Sequence, residues 1–237
     1  MASRDLKKAK KALELLYQNP DDTTQAIVAI AAMSGGSNER LFKRFKKSPR
    51  GQRILDERRD LYALLCDRER MLAMPEGSLG RTICEWFIRE GLSAEGLAGA
   101  SEAASEEFPD RPVNLGDEGK TFGSRMLNLH DVFHVLTGYD RDLRGEIAVL
   151  AFTVPQTWNT GIAYLVWRSF LNNDWNSEPR RLIRQGLMRG LRAKWLLVED
   201  WESLFEQPID EVREKLGVGA PPIYEQLRSA AAPQLAS

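Results

Sequence analysis

Along most of the chain, apolar residues return every three or four positions, the spacing that places them on one face of an α-helix. Leu6, Ala9, Leu13, Leu16 and Tyr17 form such a stripe over residues 5–18, with Lys7, Lys8, Lys10 and Lys11 on its early turns. Pro20-Asp21-Asp22-Thr23 closes that helix and caps a second, small-residue one over 23–33. After the break at Gly35-Gly36-Ser37-Asn38, Leu41, Phe42 and Phe45 interleave with Arg40, Lys43, Arg44, Lys46 and Lys47. Helical stripes follow over 61–72 and over 82–90, the latter after the turn Met74-Pro75-Glu76-Gly77-Ser78-Leu79-Gly80-Arg81 and stopped by Gly91. Residues 93–107 are small and acidic, hence a surface helix or an irregular segment, and Phe108-Pro109-Asp110-Arg111-Pro112 reads as a loop.

The next helix is predicted to start between Lys120 and Arg125 and to stop at Gly138, a left-handed C-cap. Asp140 or Asp142 then caps its successor. So short a link makes the two an antiparallel hairpin. From Ile147 to Trp167 there are 21 residues without a charge, interrupted by Pro155-Gln156-Thr157 and Asn159-Thr160-Gly161. A buried, kinked helix pair fits that pattern better than a membrane span. Residues 179–200 read as a basic amphipathic helix, with Leu182, Ile183, Leu187, Leu191 and Trp195 opposite Arg180, Arg181, Arg184, Arg189, Arg192 and Lys194. A last helix over 210–216 ends at Gly217. No sustained alternation argues for a sheet. The expectation is an all-α fold: one compact domain over residues 1–225, with a helix hairpin at its centre, and a frayed tail over 226–237.

Composition narrows the function classes. The chain has 237 residues, 43% of them apolar and 28% charged, as in a soluble globular protein. Its net charge of −1 gives no reason to expect nucleic acid. Two cysteines and no C-x-x-C leave neither a disulfide framework nor a zinc ribbon. The N-terminus has no apolar stretch and carries an early acidic residue, so neither a secretion signal nor a transit peptide is expected, and the location is read as cytosolic. The basic run over 40–59 is either a solvated face or a patch for anionic head groups or an acidic partner.

The chemistry concentrates on the predicted hairpin. His130 and His134 are the only histidines, one helical turn apart, with Asp131 between them and Glu146 twelve positions beyond. On a helix the two imidazoles can reach one point, and with one or two carboxylate oxygens they make a ligand set for a divalent metal. A protease of the H-E-x-x-H kind fits poorly, because Asp131 is a methylene short for its base. An H-D phosphohydrolase needs a further histidine, and none exists. Two histidines can also hydrogen-bond within a core. The uncharged segment that follows, able to exclude water, favours the metal.

Asn128-Leu129-His130-Asp131-Val132-Phe133-His134-Val135-Leu136-Thr137-Gly138-Tyr139, followed by Glu146, resembles the Coq-four family of coenzyme Q biosynthesis proteins, marked by H-D-x-x-H, eleven residues, then E. Met74 to Arg81 is similar to the same family's P-E-G-[ST]-L-G-[RK] stretch, and the resemblance runs from about residue 20 to 225. It implies an all-α fold and a divalent ion, zinc first and magnesium, manganese or iron as alternatives, held by His130, Asp131, His134 and Glu146, which would also be the catalytic residues. It implies work on polyprenylated ring intermediates of ubiquinone synthesis, with removal of the carboxyl group at ring carbon C1. The alternative is a non-catalytic isoprenoid-binding scaffold for other quinone-biosynthesis enzymes. The missing presequence points to a bacterial member.

An apolar tail needs apolar walls, for which Phe133, Phe152, Trp158, Tyr164 and Trp167 are the candidates, along with Phe170. Arg125, Arg141 or Arg144 would meet a substrate carboxylate or phosphate. Peripheral membrane contact through the basic faces at 40–59 and 180–195, and self-association, complete the expectations.

Overall fold

The computed structural model describes residues 4–108 and 116–229. Among these, fourteen α-helices and one 3₁₀ turn account for the regular structure, and no strand occurs beyond an isolated bridge between Ser78 and Pro208. In chain order they are α1 (Leu6–Gln18), α2 (Thr23–Ser34), α3 (Ser37–Lys47), α4 (Pro49–Asp56), α5 (Leu61–Cys66), α6 (Arg68–Ala73), α7 (Leu79–Glu90) and α8 (Ala94–Glu107). Then come α9 (Gly116–Thr137), α10 (Leu143–Thr157), α11 (Thr160–Asn172), α12 (Glu178–Arg192), the 3₁₀ turn Leu196–Val198, α13 (Trp201–Leu204) and α14 (Ile209–Leu216).

Side-chain caps set most of the starts. Asp5, Asp22, Ser48, Asp60, Asp67, Ser78, Ser93, Asp142 and Asn159 each accept a hydrogen bond from a backbone N–H in the first turn. The cap at Asp67 divides the stripe over 61–72 into α5 and α6. Ser78 starts α7 three residues earlier than predicted. There Leu79 and Gly80 donate N–H bonds to the Gln207 and Phe205 carbonyls, and a Cβ on Gly80 would lie 2.3 Å from Met74 Sδ. The Met74–Arg81 stretch thus docks α7 on the α13–α14 segment. The basic helix stops at Arg192 instead of running to 200, because Ala193 turns extended and Trp195 Nε1 donates to the Gln156 carbonyl. The segment expected as a surface helix or irregular stretch is helical over Ala94–Glu107, with Ala94 and Ala104 buried. Of the loop at 108–112, only Phe108 lies within the described residues.

The main core gathers Phe45, Leu79, Ile83, Phe133, Phe152, Trp201 and Phe205, all essentially inaccessible to solvent. Helix α9 runs past this core. Gly138, at φ 73°, ends it, and the link to α10 is only Gly138 to Asp142. Helix α10 packs more extensively along α12 than along α9. The reason is Gly186 and Gly190, four apart on α12, where a Cβ would lie 2.4 Å from the Ala148 carbonyl oxygen and 2.2 Å from that of Phe152. The uncharged segment is the expected helix pair: α10 contains Pro155, and Trp158 at φ 50° breaks the chain before α11. No helix among the described residues is long and apolar enough to cross a membrane.

Residues 226–229, assigned to a frayed tail by composition, are held in place. Gln226 Nε2 donates to Asp140, and Leu227 N to Asp142 Oδ1 at 2.9 Å, while the Leu227 carbonyl accepts from Leu143 N. Tyr224 hydroxyl donates to Asp142 and accepts from Asp140 N, and Pro221 lies against Gly138. The described residues after α14, 217–229, form a strap across the α9–α10 link. It carries no helix but satisfies the backbone groups that the turn exposes. Residues 230–237 lie outside the described residues.

Candidate metal centre

The last two turns of α9 carry His130 and His134, and the first turn of α10 carries Glu146. His130 Nε2 and His134 Nε2 are 3.2 Å apart, and Glu146 Oε2 is 3.5 Å from the first and 3.4 Å from the second. The three atoms form a nearly equilateral triangle. A tetrahedral ion with bonds of 2.0–2.2 Å has ligand–ligand edges of about 3.3–3.6 Å, so the triangle has the size of one face of such a coordination sphere.

Hydrogen bonding on the far side of His134 fixes which nitrogen faces in. Its Nδ1 lies 2.8 Å from the Tyr139 carbonyl, which can only accept, so Nδ1 carries the hydrogen. In the neutral ring Nε2 therefore presents a lone pair to a second imidazole nitrogen and a carboxylate oxygen. Such a set needs a hydrogen or a metal ion between its atoms, supplied by an imidazole N–H or by a bound cation. Trp86 of α7 stacks on the His134 ring at 5.4 Å and 21°, and its Nε1 donates to Asp140 at 2.8 Å. Both partners hold the ring plane, as the outer partners of metal-bound histidines do.

Asp131 is not among the three converging groups. One residue on from His130, it is turned by roughly 100° around the helix. It is buried, and no described group donates a hydrogen bond to it. Burial raises its pKa, with His130 and His134 pulling it down and Glu146 adding to the rise. Burial also works against charge on Glu146 and His134, and there the pairing wins. The imidazoles hold the Glu146 carboxyl well below the ordinary range, and Glu146, the Tyr139 carbonyl and Asp131 push His134 up to about 9. In the metal-free protein a proton thus takes the central place.

That competition predicts a pH dependence. An ion binding below pH 9 must displace the His134 proton, so apparent affinity is expected to rise about tenfold per pH unit between roughly pH 7 and 9 and then level off. Metal titrations against a competing chelator measure it, and an affinity flat across that window contradicts the assignment. For the metal-free fold the signs differ. The raised His134 pKa stabilises it fully below about pH 6.5, a contribution lost as pH rises through about 9. The depressed Glu146 pKa stabilises it above the ordinary carboxylate range, a contribution lost as pH falls.

His130 and Glu146 form part of the wall of a cavity of about 540 Å³; His134 lies behind them, its side chain 1% exposed. The remaining wall is largely apolar, with Ile27 and Ile30 from α2, Leu127 and Phe133 from α9, Leu150 from α10 and Leu165 from α11. Along α10 the lining runs from Leu143 to Thr157, a rise of about 21 Å. Of the aromatic walls expected from sequence, only Phe133 borders this space. Phe152 is sealed in the core, edge-on to Phe133. Tyr164 packs among the α1 and α2 side chains, and Trp158 and Trp167 are exposed on the outer surface. Tyr164 and Trp167 miss the cavity because α11 turns its Ile162 and Leu165 inward, a choice made by its packing on α2, and Trp158 lies in the break between α10 and α11.

The arginines separate as clearly. Arg125 is buried, donating to the Leu197 and Glu199 carbonyls and to Glu202. Arg144 is paired with Glu225. Arg141 lines the cavity, and its guanidinium has no hydrogen-bond or ion-pair partner among the described residues. Sequence reasoning missed Trp86, Ile27 and Ile30. Each sits in an ordinary helical stripe with no local mark of its place.

The pattern of the family described as "Coenzyme Q (ubiquinone) biosynthesis protein Coq4" matches residues 8–99 and 117–222. The chain belongs to the Coq4 family. It is 28% identical over 197 residues to the mitochondrial ubiquinone biosynthesis protein COQ4 of Yarrowia lipolytica, covering 80% of this chain and 69% of that one. It is 28% identical over 184 residues to mitochondrial coq-4 of Neurospora crassa, covering 76% and 49%. The chain thus spans between about half and somewhat over two thirds of these relatives' lengths. A crystal structure from Nostoc punctiforme PCC 73102, of a protein ascribed to ubiquinone biosynthesis, superposes with a TM-score of 0.60 over 92% of this chain and all of that one. At 19% identity the likeness shows a common fold.

Proposed function

We propose that this Coq4-family chain acts on a polyprenylated ring intermediate of ubiquinone biosynthesis, seating the apolar tail in the cavity and the ring at a divalent ion held by His130, His134 and Glu146, and that it removes the carboxyl group at ring carbon C1. The observation that carries this reading is the convergence of two imidazole nitrogens and a carboxylate on the wall of an apolar cavity. Histidine and carboxylate together suit zinc, with iron, manganese and magnesium as the other candidates.

Bound there, the ion supplies a positive charge where electrons accumulate as the C1–carboxyl bond breaks. The chain's own residues do the rest. Asp131 and Glu146 together balance a charge of two, which burial otherwise penalises. Arg141, the uncommitted cation, meets the substrate carboxylate and orients it. Phe133, Leu127 and Leu150 exclude water, and burying the tail stabilises the complex by ~0.8 kcal/mol per CH₂. Carbon dioxide leaves, the electron pair stays on the ring, and a proton takes the vacated position.

The test is release of CO₂ from a prenylated 4-hydroxybenzoate-type substrate by the purified, metal-loaded protein. Arg141→Ala is expected to lower kcat/KM by about 10–100-fold, the worth of a charged hydrogen bond, with metal content unchanged. Binding of the lipid without turnover under any metal supports the scaffold role instead, in which the same three donors hold a head group for other quinone-biosynthesis enzymes.

A further inference from the structure

Three of the six tryptophans are more than half exposed, an unusual arrangement for so large an apolar side chain. Two of them, Trp167 on α11 and Trp175 in the α11–α12 turn, belong to one surface. Trp167 stacks on Phe170 at 6.4 Å, Phe170 meets Trp175 edge-on at 6.2 Å, and Leu171, half exposed, lies one turn beyond Trp167. Arginines lie over these rings. The Arg180 guanidinium is 4.5 Å from the Phe170 ring centre and 5.5 Å from that of Trp175, and the Arg184 guanidinium is also 5.5 Å from the Trp175 ring centre.

Exposed aromatic rings separate this face from the other basic part of the chain, where Phe42 and Phe45 of α3 are buried. Along α3 and α4, Lys43 pairs with Glu39, Lys46 with Glu118 and Arg50 with Glu199, while Arg44 lies over the Trp195 ring and Arg40, Lys47 and Arg53 have no carboxylate within 4 Å among the described residues. Arg59, just beyond α4, pairs with Glu57 and Asp200. Arg168, Arg180 and Arg184 have no carboxylate within 4 Å among the described residues. The face is therefore apolar, aromatic and positive.

We infer that the α11–α12 face, built on Trp167, Leu171, Trp175, Arg180 and Arg184, seats the protein on an anionic lipid bilayer surface. Indole rings settle at the boundary between head groups and acyl chains, and arginines lay their stems on apolar surface while their heads meet phosphates. A second copy fits less well, since a two-fold contact would bring the same unpaired arginines together. The position of the face favours lipid over an acidic protein. Ile162 and Leu165, on the other side of α11, line the cavity, and Asn172 at the end of α11 donates to the Tyr17 hydroxyl, beside cavity-lining Leu16 and Pro20. The aromatic face thus adjoins the wall of the cavity proposed to take an apolar tail, the only point at which it rests on that reading.

Flotation of the full chain with vesicles tests it, using phosphatidylcholine–phosphatidylglycerol against pure phosphatidylcholine, with chelator present and no prenylated lipid. These conditions keep the result independent of turnover and of the metal. The protein is expected to float with the anionic vesicles. Trp167→Ala/Trp175→Ala and, separately, Arg168→Glu/Arg184→Glu are expected to lower partitioning at least about tenfold. Melting temperatures should stay unchanged, because the replaced side chains are exposed. Failure of the wild type to float, or equal flotation of wild type and variants, overturns the assignment. So does a change in sedimentation of the variants without any change in flotation, which would make the face a contact between proteins. Absence of CO₂ release in detergent would count against the proposed chemistry and leave this surface standing.

Discussion

Glu146→Gln is expected to remove stoichiometric divalent metal, taking the purified protein from about one ion per chain to essentially none. The two side chains have the same shape, so the start of α10 and its Asp142 cap are spared. What goes is the single carboxylate that closes the triangle with the two imidazoles. Changes to the partners behind a ligand already weaken metal sites by 10–100-fold, and loss of the charged ligand itself should exceed about a hundredfold. CO₂ release should fall with the metal. The raised proton affinity of His134 should fall as well, since Glu146 is the first of the groups that oppose burial there. Elemental analysis together with chelator competition decides the matter, and unchanged metal content in Glu146→Gln would falsify the site. Asp131→Asn is the informative companion. With three donors holding the ion, this variant keeps about one ion per chain at reduced affinity, because only a balancing charge is lost. Complete loss would make Asp131 a direct ligand.

The second large effect is on stability. Gly190→Ala is expected to destabilise the fold by about 2–4 kcal/mol, although alanine favours an isolated helix by ~1 kcal/mol over glycine. The new Cβ would stand 2.2 Å from the Phe152 carbonyl oxygen and 2.7 Å from a Pro155 side-chain carbon. A backbone carbonyl cannot rotate away as a side-chain tip can, so α10 and α12 must separate along their closest contact. Gly99→Ala supplies the opposite sign. A Cβ at this position on α8 would meet nothing within 4 Å, and a gain of about 0.5–1 kcal/mol is expected. Urea unfolding of both variants measures the pair, and a neutral or stabilised Gly190→Ala would remove glycine contact as the reason α10 lies along α12. Glu146 stands on α10, so the same variant should also weaken metal binding.

Much of this is legible in the chain because the signals are local. Asp22, Asp142 and Gly138 act within one turn of where they stand, so helix ends can be read from single residues. His130 and His134 share a face by helical geometry alone. Even the break at Trp158-Asn159 announces itself, through the interruption of an uncharged run. The basic stripe over 179–200 overextends its helix because the apolar spacing continues through Trp195. That residue is apolar for another reason: it covers α10 from outside the helix and hydrogen-bonds Gln156.

The sequence by itself determined an all-α chain, its caps and stops, and a histidine pair with carboxylates close enough in the chain to join it. Those are consequences of backbone geometry over a few residues. Only the tertiary structure decided which carboxylate closes the triangle, which arginine stays uncommitted and which aromatic rings face a cavity instead of solvent. Each of these depends on how one helix is rotated against another. The rotation follows from contacts between residues far apart in the chain, such as Gly190 on Phe152, Trp86 on His134 and Leu227 on Leu143.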